Sequence, residues 1–470
     1  MESISGAMNF IYQSLLYLTN WPLAVVLLLG GFYFTWRTRL IQMYLGEAIR
    51  ITMEKPAIPG GVSSFGALMV STASRVGSGN IIGVSTAICL GGPGAVFWMW
   101  FCAVIGGASA FVESTLAQIY KRRNEDGSSY GGPAYYMESV LHSKVLAGIF
   151  TAALIFTYGV GYNMLASYNM QSAFSGFSFY SAQSCWYIGA VTAVCFALCV
   201  LGGGRWIIWA TGVLVPLMGI FYIIIALIAM VLNSAALPGM FREILRSAFD
   251  FHAIAGGFSG SVIMLGMKRG LYSNEAGIGS APNAAAAANV SHPVKQGLVQ
   301  MLSVFIDTLL ICSTTAFMCL CSSAEVLRAD AGAPYVQKSL VATFGAWGPV
   351  FLLVALCLFS FTTLLGNFYY VENCFYYFFG RKPGKKTLFA VRMIGAVLIA
   401  VGAGIQMDVA WGIADISQCV LAFINIPVCI LIGSRAYRAW EDYREQRRQG
   451  KDPVFYASRI GLKEKTDFWN

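Results

Sequence analysis

An apolar run long enough to cross a bilayer, Phe65–Leu90, is interrupted at its middle by Arg75-Val-Gly-Ser-Gly-Asn80. About 20 apolar residues span the hydrocarbon core as a helix, so Phe65–Ser74 and Ile81–Leu90 read as two half helices. Glycine weakens a helix interior by ~1 kcal/mol against alanine, and Gly77 and Gly79 stand where the run lies deepest. Backbone groups released from a helix ladder cannot face lipid; they must line an enclosed or watery cavity. Two readings follow. One is a kinked packing helix with close glycine contacts; the other is a discontinuous helix whose ends offer N–H and C=O groups to a ligand and an ion.

The rest of the chain favours the second reading. Of 470 residues, 57% are hydrophobic and 11% charged, whereas a soluble domain averages about 25% charged. Eleven apolar segments are expected, near 16–36, 65–90, 93–118, 145–170, 185–201, 207–232, 253–280, 297–321, 349–379, 388–406 and 411–433. This is an all-α polytopic membrane protein. Basic residues follow the first, third, fifth and ninth segments and fill the tail, while the opposite loops hold only Arg242, Arg246, Arg328 and Lys338. The asymmetry predicts an N-terminus outside and a C-terminus in the cytoplasm. It also explains the net charge of +9 through orientation and contact with anionic membrane lipid, with no nucleic acid needed. The scattered cysteines form no zinc-type pairs, so no metal cofactor is expected.

A second break, Gly256-Gly-Phe-Ser-Gly-Ser261, opens the seventh segment, five after the first break. Five is odd, so the two broken helices have opposite topology. The pattern predicts two inverted five-helix repeats, 65–232 and 253–433, each opening on a discontinuous helix. Residues 1–64 then supply one extra N-terminal transmembrane helix and a cytoplasmic loop, and 434–470 a basic cytoplasmic tail. The spacing alone thus reaches a transporter with a midplane site. A membrane-embedded enzyme would need a nucleophile or metal cluster near a bilayer face, and the chain has neither; Gly77–Gly83 lacks the spacing and the preceding strand of a dinucleotide loop. An ion channel is the remaining rival class.

Val76-Gly-Ser-Gly-Asn80 followed by Gly91-Gly-Pro-Gly-Ala-Val-Phe-Trp-Met-Trp100 resembles the signature of the alanine or glycine:cation symporter family. So do Gly131-Gly-Pro-Ala-Tyr-Tyr-Met137, Arg269-Gly-Leu-Tyr-Ser-Asn-Glu-Ala-Gly277, Gly297-Leu-Val-Gln-Met301 and Phe305-Ile-Asp-Thr308. The resemblance covers nearly the whole chain. It implies a leucine-transporter-like fold and sodium- or proton-coupled import of a small neutral amino acid (alanine, glycine, serine or glutamine) by alternating access. The implied location is a bacterial-type inner membrane.

The ligand chemistry selects candidate residues. The positive end of a half helix suits a carboxylate, which nominates Gly77, Ser78, Gly79 and Asn80. From the second break come Gly260 and Ser261, and from the fourth and ninth segments Asn163, Thr363 and Asn367. Sodium, the expected coupling ion, takes oxygen ligands: the unwound carbonyls of Ala73 and Val76, with Thr362 and Thr363, where the resemblance places such hydroxyls; Ser360 lies nearby. Glu275 is expected to pair with Lys268 or Arg269, or to coordinate an ion. Arg75 either gates the cytoplasmic side with an acidic partner or snorkels. Glu113 reads as a structural hydrogen-bond partner, and Asp307 as that or a proton relay. Family members often carry tryptophan where this chain has Asn367, and Val-Gln-Ala-Asn where it has Met164-Leu-Ala-Ser167. Both positions are expected to face the substrate, and the lost indole favours a larger or more polar amino acid.

Overall fold

The computed structural model describes residues 14, 17–58, 60–125, 127–250 and 262–469. Each of the eleven apolar segments carries helix. The first holds α1 (Trp21–Arg37), which bends by 66° into the turn and helix α2 (Leu45–Thr52). The second is divided into α3 (Ser64–Arg75) and α4 (Ile82–Gly91), separated by a tight turn at Ser78–Asn80. The third is α5 (Ala95–Ile119). The fourth comprises α6 (Lys144–Phe156) and α7 (Tyr162–Ser172), joined by a π-helical turn at Thr157–Gly161. Then come α8 (Ser184–Leu201), α9 (Gly204–Leu232) and α10 (Val262–Asn274). The eighth segment comprises α11 (Pro293–Phe305) and α12 (Ser313–Leu320), joined by a second π-helical turn at Ile306–Cys312. The last are α13 (Trp347–Phe379), α14 (Lys385–Gly402) and α15 (Met407–Ile432), followed by the tail helix α16 (Ser434–Arg448). Among the described residues seven spans are long and apolar enough to cross a membrane alone, and the bent pair at α1 raises this to eight. Gly260, Ser261 and the second predicted break lie outside the described residues.

The surface has the polarity a bilayer demands. Leu198, Leu217, Ile220, Val397 and Trp186 point outward from α8, α9 and α14, while the interior holds Arg75, Glu113, Glu275 and Asp307. In water that distribution would cost rather than gain free energy. At the centre, α3 packs against α9, α11 and α13, and α5 packs against α10 and α11. The first helix is peripheral, resting on α5 and α15. One face gathers the basic loops and the tail. Glu47 of α2 binds Arg447 and Tyr443 of α16, Lys121 lies over the rings of Phe468 and Trp469, and His292 at the start of α11 packs on Tyr443 and Phe455.

Candidate functional site

The break in the second segment is held open by one side chain. In a continuous helix the N–H of Gly77 would bond the carbonyl of Ala73, and that of Asn80 the carbonyl of Val76. Instead Gly77 donates to Asn80 Oδ1 at 2.8 Å, and Asn80 donates to the Gly77 carbonyl at 3.1 Å. The carbonyls of Ala73 and Val76 are thereby released from the ladder. Asn80 is fully buried, and its amide Nδ2 donates to Asp307 Oδ1 at 2.6 Å and to the Asp307 carbonyl at 3.2 Å. Ser273 and Thr308 hydroxyls complete Asp307, at 2.7 and 2.9 Å from its Oδ2. The π-helical turn at Ile306–Cys312 places Asp307 and Thr308 there, and such turns recur at functional sites.

The glycines admit their neighbours. A Cβ on Gly77 would overlap Thr363 Oγ1, and one on Gly79 would sit 2.7 Å from the Tyr272 ring. Thr363 of α13 thus reaches the break itself, although its hydroxyl also bonds the Phe359 carbonyl at 3.0 Å. Ser360, one turn earlier on the same face, has a buried hydroxyl with no hydrogen-bond partner among the described residues. Thr362 is turned elsewhere: its hydroxyl lies 3.4 Å from Met218 of α9 and bonds the carbonyls of Leu358 and Phe359. Neighbouring helical residues point about 100° apart, so the expected threonine pair cannot serve one ion together. Ser78 accepts from Asn169 Nδ2 at 2.8 Å.

Asn163 and Asn367 meet each other, Asn367 Nδ2 donating to Asn163 Oδ1 at 3.0 Å, and Asn367 Oδ1 lies 2.6 Å from Ser74 Oγ. Both asparagines are therefore in the network behind the break. The Asn367 amide thus bonds protein groups at both its nitrogen and its oxygen, where the lost indole had suggested a group facing the substrate. Met164 and Ser167 face α14, where Met164 backs Gly402 and Ser167 donates to the Ile399 carbonyl at 2.7 Å. That corrects their expected place at the substrate.

The charged residues also differ from expectation. Lys268 and Arg269 pair with Asp415 of α15, at 3.1 and 2.9 Å, not with Glu275. The Arg269 guanidinium lies over the Trp411 ring at 4.0 Å, and the rings of Trp411, Tyr272 and Tyr162 follow in contact. Glu275 instead meets the hydroxyls of Ser74 and Ser280, at 2.9 and 2.7 Å. Arg75 has no acidic hydrogen-bond partner among the described residues and donates to the carbonyl and side chain of Gln300. Glu113 accepts from Gly277 and Gly279 N–H groups and from Asn425, at 3.3, 3.0 and 2.7 Å. Reading the sequence missed Ser74, Ser273, Tyr272, Asp415 and Asn425. Asp415 and Asn425, polar within an apolar segment, carried the signal that marks intramembrane polar residues as functional.

A buried, discontinuous helix with freed carbonyls and hydroxyls at its break, set in a polytopic helical protein, is the arrangement of a membrane transporter site. The chain belongs to the sodium:alanine symporter family, whose model matches residues 1–457. It is 41% identical over 447 residues to the amino-acid carrier protein AlsT of Bacillus subtilis, covering 94% of each chain. It is 39% identical to the Probable sodium/glutamine symporter GlnT of the same organism, covering 97% of this chain and 93% of that one. With the sodium/alanine symporter AgcS of Methanococcus maripaludis it shares 35% identity over 91% of this chain and 95% of the other. The protein is a multi-pass membrane transporter of the cation-coupled amino acid symport class, and not an enzyme.

Proposed function

We propose that the protein imports a small neutral amino acid together with sodium. The observation that carries this is the break itself: freed carbonyls at Ala73 and Val76 beside Thr363, where the next half helix begins. The carbonyls of Ala73 and Val76 with the hydroxyls of Thr363 and Ser360 form the sodium site, since a hard cation takes oxygen ligands. The turn Gly77–Asn80 receives the amino acid carboxylate at the positive end of α4, with Ser78 as hydroxyl donor. Gly260 and Ser261, at the second break expected from the sequence, belong to the substrate site in this reading. The fold is leucine-transporter-like, with eleven spans in an inverted 5+5 repeat after one extra helix. The N-terminus lies outside and the C-terminus in the cytoplasm of a bacterial-type inner membrane.

The relatives' names include both alanine and glutamine, so alanine, glycine, serine and glutamine form the substrate panel. Purified protein in proteoliposomes is expected to concentrate one of them under an inward sodium gradient. Uptake driven equally by a proton gradient without sodium would favour proton coupling. Movement of ions without concentrative uptake would refute symport and indicate a channel.

A further inference from the structure

Three carboxylic acids, Glu113, Asp307 and Glu275, are buried around the break, and the charge of one buried guanidinium, Arg75, acts on all three. Their partners differ in kind. Glu113 accepts three N–H bonds, from Gly277, Gly279 and Asn425. An N–H can only donate, so these three favour Glu113 as a carboxylate. Asp307 accepts one N–H, from Asn80, as well as two hydroxyls. Glu275 meets hydroxyls alone, those of Ser74 and Ser280. A hydroxyl donates or accepts by rotating, so Glu275 can gain or lose a proton without stranding any N–H donor.

Counting protons at Ser74 extends the argument. Its Oγ lies between two acceptor oxygens, Glu275 Oε1 and Asn367 Oδ1, yet carries one proton. With Glu275 protonated, the carboxyl donates to Ser74 and Ser74 donates to Asn367. With Glu275 ionised, Ser74 donates to Glu275, and the Asn367 amide must turn its NH2 toward Ser74 and its oxygen toward Asn163. Asn163 Nδ2, buried and without a partner among the described residues, is the donor that this second arrangement would use. Arg75 holds two more such donors: Nε and Nη2 are buried without a hydrogen-bond partner. Glu275 itself has left-handed backbone, at φ +54°, a conformation that disfavours a non-glycine residue.

We propose that Glu275 is a proton-exchange site linked to the transport cycle. It is protonated while it donates to Ser74, and when ionised it accepts from Ser74, draws the free Arg75 donors toward itself and turns the Asn367–Asn163 pair. The step is simple acid dissociation: the carboxyl O–H breaks, the electron pair stays on Glu275, and the proton leaves to water on the side to which the site is open. The ionisable groups around Glu275 are Arg75 from α3, Tyr158 from the π-helical turn, Tyr162 from α7, Tyr370 from α13 and Tyr272 from α10. Arg75 is the one cation among those groups. This proposal deepens the symport reading and rests on it.

Proteoliposomes loaded with a pH-sensitive dye, with sodium equal on both sides, are given radiolabelled alanine or glutamine. The expected result is internal acidification in proportion to uptake, with uptake varying at least fivefold between about pH 5.5 and 8.5. In E275Q the proton signal per amino acid taken up should fall to background. Uptake by the wild type with no proton movement, or an E275Q signal equal to the wild type, would overturn the proposal while leaving symport intact. Failure of the wild type to take up either amino acid under a sodium gradient would instead count against the symport reading. Should E275Q not insert or transport, S280A decides, because it removes one of the two hydroxyls that bond Glu275 and leaves that of Ser74 in place. A shift of its pH midpoint by about one unit supports the site, and an unchanged profile refutes it.

Discussion

Replacing Asn80 by alanine tests the turn most directly. The wild-type side chain accepts from the buried N–H of Gly77 and donates to the buried carboxyl group of Asp307. Stranding the N–H costs about 1–3 kcal/mol, and losing a hydrogen bond to a charged group about 1.5–3 kcal/mol. The open turn is then disfavoured by roughly 2.5–6 kcal/mol, which at about 1.4 kcal/mol per decade lowers its population on the order of 10²- to 10⁴-fold. The chain has a ready escape. Gly77 N–H can return to the Ala73 carbonyl and continue α3, which removes one proposed sodium ligand. N80A should therefore lose uptake and also need more sodium for what remains. N80D separates the two contributions, since it keeps the acceptor for Gly77 but sets a second carboxylate against Asp307. It should be as inactive as N80A at neutral pH. Both are measured by sodium-driven uptake in proteoliposomes, with size-exclusion chromatography as the control for folding. Uptake by N80A within threefold of wild type, at the same half-saturating sodium, would refute the claim that this turn is the site.

T363V is expected to raise the half-saturating sodium concentration at least tenfold while T362V changes it less than twofold, because only Thr363 reaches Gly77; equal shifts would undo that assignment. D415N leaves Lys268 and Arg269 without their buried partner, so it should destabilise by about 3–5 kcal/mol. Thermal unfolding of D415N, R269Q and the double variant should show a double effect smaller than the sum of the singles; simple additivity would mean that the pair is not coupled. His292, outside the spans, is pushed by burial down to about 4 from 6.5, with Asp442 opposing and Lys295 and Arg459 reinforcing the shift. With the tail released His292 binds a proton below pH 6.5, whereas beneath the docked tail it does not, so docking is fully favourable above that pH and weakens as pH falls toward 4, by up to about 3 kcal/mol. Hydrogen exchange in 434–469 should rise across that window in the wild type and stay flat in H292F; an unchanged wild type would contradict the account.

The break was legible because glycine, serine and asparagine in the middle of an apolar run admit few explanations in lipid. The helical segments were legible for the same reason: length and hydrophobicity suffice to mark them. Partner choice was not. Arg75 and Gln300 are separated by most of the first repeat and all of α10, and nothing local says that a carbonyl rather than a carboxylate awaits the guanidinium. Thr362 and Thr363 are equivalent in sequence, and which one faces the break depends on the rotation of α13, set by Gly366 lying against the backbone of Ser74. The π-helical turns that place Asp307 and widen the fourth segment have no sequence signature that periodicity detects. They add one residue to a turn and shift the facing of all that follows.

Those partner choices also constrain how the molecule can move. Within eleven residues, α10 and the coil after it carry Arg269, Ser273, Glu275, Gly277 and Gly279. Arg269 is tied to Asp415, and Gly277 and Gly279 are tied through Glu113 to Asn425. Asp415 and Asn425 lie on the same helix, α15, ten residues or about 15 Å apart along its axis. The two ties therefore sit at different depths, with Ser273, and through it Asp307 and Asn80, between them. A path to the break past Trp411 and Tyr272 must separate Arg269 from Asp415 while the Glu113 tie holds. A path from the other end must release Gly277 and Gly279 while the ion pair holds. Breaking both at once would free α10 from α15 and leave several buried polar groups unpaired, each costing about 1–3 kcal/mol. In the proposed symport cycle one access at a time is thus the lower-energy course, and the spacing of two partners on one helix favours it.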